Sequence, residues 1–81
     1  MKLNEAIELG KTKHWQNAQV RVKPGQTRPS NLNKWFIMLC DNQYKSYILA
    51  DNDDRPIATE EINTLVEIIR TIGLKEFTVY L

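Results

Sequence analysis

From Ala18 to Lys23 the chain alternates with a period of two, with Ala18, Val20 and Val22 on one side and Gln19, Arg21 and Lys23 on the other. That pattern predicts a half-buried strand with a basic outer face. Pro24-Gly25 ends it. Pro24 to Asn33 shows no periodicity and reads as a loop, long against the usual hairpin connection of about 2–5 residues. Lys34 to Asp41 follows and is apolar in both phases: Trp35, Ile37 and Leu39 in one, Phe36, Met38 and Cys40 in the other. A strand of that kind is central, covered on both sides or partly paired with a partner. Asp41-Asn42-Gln43 predicts a tight turn, and Tyr44 to Ala50 a third strand. Asp51 to Pro56 is an acidic loop.

Helical spacing flanks this core. Asn4 is the expected N-cap of a short first helix, with Glu5 in its first turn and Leu3, Ala6 and Ile7 on one face. Gly10 is its expected stop. The second helix is expected to start on Thr59 as N-cap, followed by Glu60 and Glu61 at the positive end of the dipole. Its buried stripe is Ile62, Leu65, Val66, Ile69 and Ile72, widened by Ile68. Gly73 fits the left-handed position after the last turn, with Leu74 reaching back to Ile69. Phe77, Val79 and Leu81 then alternate with Thr78 and Tyr80 in a last strand, expected to tie down the C-terminus.

These elements predict one domain, residues 1–81, of the α+β class: a small two-layer fold in the order α-β-β-β-α-β. Three strands form an antiparallel meander, and a β-α-β crossover adds a fourth. Right-handed return sets the fourth parallel to the third, beside either the third or the first strand. The helices are expected either to cover one face of the sheet each, or to leave one face of the Trp35–Cys40 strand as a dimer or partner surface.

Size narrows the function classes. A chain of 81 residues has room for about one helical layer on one sheet and none for a deep cleft between subdomains. One cysteine, Cys40, rules out an internal disulfide and suits a reducing, cytoplasmic setting. The longest apolar run, Trp35 to Cys40, is far short of the ~20 residues a spanning helix needs, so no membrane role is expected. The formal net charge of +1 hides an asymmetry. Residues 1–37 carry seven basic and two acidic side chains, and residues 38–81 four basic and eight acidic.

Chemistry-bearing patterns are few. His14 and Cys40 are formally a nucleophile pair, but Cys40 falls in a core-strand alternation and reads as a small buried hydrophobe. Asp51-Asn52-Asp53-Asp54 looks like the start of a calcium loop. Arg55, Pro56 and Ile62 then occupy the positions that need an oxygen ligand, a glycine and a bidentate glutamate. No metal, cofactor or enzymatic activity is expected.

Binding is left. Lys11, Lys13, Trp15, Arg21, Lys23 and Arg28 mix cations with an indole that either stacks on a base or packs under the first helix. The helix–three strands–helix order resembles the double-stranded-RNA-binding domain in topology alone. That family grips phosphates with a basic start to its second helix, where this chain has Glu60-Glu61. The first expectation is therefore a small non-enzymatic regulator or inhibitor of a larger protein partner, a build shared with small regulators of phages and mobile elements. Its expected contact residues are Arg21, Lys23, Arg28, Lys34 and Trp35. Nucleic-acid binding through the basic N-terminal half is the alternative, and a homodimer is a further arrangement the apolar strand allows.

Overall fold

The computed structural model describes residues 1–22 and 34–80. Along the chain these form α1 (Leu3–Gly10), β1 (Trp15–Val22), β2 (Trp35–Asp41), β3 (Ser46–Ile48), β4 (Ala58–Thr59), α2 (Ile62–Ile72) and β5 (Thr78–Tyr80). The sheet order is β3-β2-β1-β5, with β4 also paired to β2. β1, β2 and β3 are the expected antiparallel meander. β5 runs parallel to β1 and beside it, and therefore parallel to β3 in direction. Of the two sites open to the last strand, it takes the one next to the first.

Several boundaries move, each for a physical reason. β1 begins at Trp15 because a bulge between Trp15 and Asn17 shifts the phase, so that Trp15 and Ala18 both point inward. Alternation read from Ala18 backwards puts Trp15 in the outward phase with Asn17. Lys23 and the Pro24–Asn33 loop lie outside the described residues. β3 is shorter than Tyr44–Ala50: Tyr44 has φ 65° in the turn, and Ala50 leaves the sheet to donate its N–H to the Met1 carbonyl at 2.7 Å.

Both expected N-caps are corrected. α1 starts after Lys2, held extended by a bridge to Ala50. The Asn4 backbone N–H instead donates to Asn52 Oδ1 at 3.1 Å, so a side chain from the acidic loop satisfies this helix end. Thr59 belongs to β4, opposite Trp35. Its hydroxyl accepts from the Glu61 N–H at 3.1 Å, and α2 begins only at Ile62, so Glu60 and Glu61 precede the first turn. The C-terminus of α2 follows the sequence closely. Gly73 has φ 106°, its N–H donates to the Arg70 carbonyl, and the Leu74 N–H donates to the Ile69 carbonyl, which is the Schellman pair.

β4 has no counterpart in the sequence reading. β3 pairs with Met38–Cys40 and β4 with Trp35–Phe36, both antiparallel to β2. Together they form one interrupted edge, and residues 49–57 make an excursion between its halves. Two residues carry no readable alternation, so only the pairing reveals β4.

The core is one cluster. Ala18, Val20, Ile37, Leu39 and Leu49 from the sheet meet Ala6 from α1 and Leu65, Ile69 and Ile72 from α2, with Trp15 beside them. Each full-sized aliphatic side chain buried there stabilises the fold by about 2 kcal/mol relative to exposure. Both helices contribute to the same cluster and pack on each other. The arrangement with one helix on each face is therefore overturned: both cover one face, and among the described residues no helix lies on the other.

Candidate binding surface

Cross-strand partners share a face of a sheet, so the register names the residues on the uncovered side. Arg21 lies opposite Phe36 and beside Tyr80, and Gln19 opposite Met38 and beside Thr78. Met38 in turn faces Ile48, Cys40 faces Ser46, and Phe36 faces Ala58. β1 and β5 supply polar and aromatic side chains, and β2 and β3 supply apolar ones. Ile48 is 49% exposed and Tyr80 41%, while Phe36 and Met38 are half-buried by their neighbours. Arg21 is the one charged side chain that the described strands put on this face.

That arginine is held in place. Its Nε–H and Nη2–H both donate to Gln19 Oε1, at 3.0 and 2.8 Å. Its guanidinium carbon sits 4.3 Å from the centroid of the Tyr80 ring, a cation–π stack. Neither neighbour is charged, and among the described residues no carboxylate pairs with it.

The other expected contact residues do not gather here. Trp35 lies opposite Val22 and Thr59 and packs against the core from the helix side, so it points away from Arg21. Lys34 is half-buried just before β2. Lys23 and Arg28 lie outside the described residues. The stacking role of Trp15 is corrected. The residue is 6% exposed, and its indole N–H donates to the Ala6 carbonyl at 2.9 Å. Lys11 is paired with Glu8 at 2.9 Å, and Lys13 is exposed in the turn after α1 with φ 57°. Sequence reasoning did not select Gln19, Ile48 and Tyr80, and it singled out Phe36 and Met38 only as part of a strand with one face open to a partner. Their signal was the shared alternation, which carries no facing until the register is known.

Among the described residues one polar side chain is buried, on the covered side. Asp41 is 2% exposed. Its Oδ1 accepts from the Gln43 and Lys45 N–H groups at 2.8 and 2.9 Å, and its Oδ2 from the Tyr47 hydroxyl at 3.3 Å, with His14 Nε2 at 3.7 Å. The Lys45 N–H above all, then the Gln43 N–H, the Tyr47 hydroxyl and His14, hold its carboxyl below the usual range, against the opposite pull of burial. This carboxylate organises the β2–β3 turn. Cys40, one residue away and on the opposite face, lies 3.5 Å from the Ser46 hydroxyl.

A lowered folded pKa means that the ionised carboxylate favours the native state. The contribution is complete above the unfolded value near ~4 and disappears as pH falls through the lower folded value. Asp41→Ala is therefore expected to melt below the wild type at pH 7, and the gap should narrow below about pH 4. Melting curves of both proteins from pH 7 to 2 check this. A gap that stays constant across the range would remove Asp41 from the acid response.

No helix among the described residues is long and apolar enough to cross a membrane. In comparisons with known proteins the chain matches no family model, no curated protein and no solved structure.

Proposed function

We propose that this chain is a non-enzymatic cytoplasmic binding protein that modulates or inhibits a larger protein partner through the open face of its sheet. The observation that carries the reading is the placement of both helices on one side. It leaves Phe36, Met38, Ile48, Tyr80 and Arg21 together on the other. Aromatic residues, Met and Arg are the types enriched in the cores of protein interfaces. The nucleic-acid alternative loses its stacking residue with Trp15 buried. Among the described residues it also finds a single cation on this face, whereas affinity for a phosphate backbone grows with the number of cations.

Affinity capture from the source cell, after nuclease treatment, tests the reading. Wild type and Glu67→Lys, a change on the exposed surface of α2, are expected to retain the same partner. Met38→Glu and Ile48→Glu are expected to lose it, because each sets an unpaired charge in the contact. Capture that survives both face variants, or that disappears on nuclease treatment of the wild type, would overturn the proposal.

A further inference from the structure

We infer that the occupant of this face is an amphipathic helix of the partner protein that carries a carboxylate, with Arg21 as the anchor for that acid. The inference rests on the docking face proposed above and adds the chemistry of what docks.

Arg21 is prepared for an anion. Gln19 fixes one edge of the guanidinium through two hydrogen bonds, and Tyr80 supports its plane. Nη1 makes no hydrogen bond among the described residues, so donors remain for an incoming oxygen. A planar guanidinium already held in one orientation loses little freedom on pairing, and its pairing with a carboxylate is charge-assisted and directional.

The surroundings choose the source of the anion. An apolar strip runs from Phe36, opposite Arg21, through Met38 to Ile48. Ile48 lies two strands and two residues away from Arg21. With strands about 4.8 Å apart and a rise of about 3.3 Å per residue, that is about 12 Å. On a helix the same span is about two turns, or seven to eight residues. The partner helix is thus expected to place an acid seven or eight residues from the apolar side chain that covers Ile48, with a further apolar residue between them on Met38. A second copy of this chain fits poorly. Two such faces packed together bury two guanidinium groups and bring no carboxylate from the described strands, and uncompensated buried charge is strongly destabilising. A nucleic-acid strand would meet one cation among the described residues, and the most exposed ring on the face, Tyr80, is already covered by Arg21.

The experiment uses three probes and backbone amide NMR shifts of the full chain. Two are helical 16-residue peptides with the same leucine stripe, differing only in glutamate or glutamine seven residues after the first leucine. The third is a 16-nucleotide oligo-dT. The glutamate peptide is expected to shift amides of β1, β2 and β3 and to bind about tenfold more tightly than the glutamine peptide. Arg21→Gln should erase that difference while leaving the glutamine peptide's affinity unchanged, which also shows that the variant is folded. Equal affinity of the two peptides, an advantage that survives Arg21→Gln, absence of peptide binding, or preferential binding of oligo-dT each overturns the inference. The docking-face reading stands or falls separately, on whether Met38→Glu loses the captured partner.

Discussion

Trp15→Ala should remove about 3–5 kcal/mol of folding free energy, the usual cost of truncating a buried tryptophan. A domain of this length has about 4–12 kcal/mol in total, so the variant is expected to lose a large share of its stability. Three contributions are lost together. The indole is buried at the edge of the core, its N–H is bonded to the Ala6 carbonyl of α1, and its ring meets Tyr47 edge-on at 5.7 Å. Trp15→Phe retains most of the burial and loses the N–H donor, so it should cost about 1 kcal/mol for the hydrogen bond plus a small cavity. Urea unfolding of the three proteins gives the comparison. A Trp15→Ala midpoint equal to that of the wild type would show that the indole does not join α1 to the sheet. The same residue separates the functional readings. In a Trp35→Phe background the emission of Trp15 should be blue-shifted and unmoved by oligo-dT, as a buried ring requires.

The fold class was legible because its signals are local and repeated. Ile62 to Ile72 carries a helical stripe, Gly73 and Leu74 close it, and Ala18 to Val22 alternates, so both elements appear where the pattern puts them. The caps were misread because Asn4 and Thr59 have the right chemistry for a role that long-range pairing assigns elsewhere. Ala50 holds Lys2 extended, and Trp35 draws Thr59 into β4. Likewise Trp15 is inward only because of a bulge, which a period-two reading cannot contain. The candidate surface was half legible. Arg21 was selected from its charge, and Trp35 was selected from its type. A strand apolar in both phases does not reveal which phase meets the helices. That choice follows from where β1, β2 and the two helices meet in three dimensions, and it sent Trp35 to the covered side and Phe36 and Met38 to the open one.

Gly10→Ala is the second large effect, and here sequence and structure disagree in sign. Helix propensity alone favours alanine by about 1 kcal/mol, since Gly10 is the last residue of a helix. In the folded protein a Cβ at Gly10 would overlap the Ile72 carbonyl oxygen. That atom is backbone in the last turn of α2, so no rotamer change relieves the clash, and α1 and α2 must separate. Overpacking of this kind costs about 1–3 kcal/mol, and a backbone obstacle belongs at the top of that range. The net expectation is a loss of about 2 kcal/mol or more after the propensity gain. Gly73→Ala provides the reference. Its cost of about 1–2 kcal/mol comes from the left-handed backbone alone, with nothing tight in the way. Urea midpoints of the two variants should both fall below the wild type, and Gly10→Ala should fall at least as far as Gly73→Ala. A Gly10→Ala protein more stable than the wild type would mean that the helices do not approach this closely. Their approach matters beyond stability: it packs both helices into one layer, and a single helical layer is what leaves Arg21, Phe36 and Met38 uncovered.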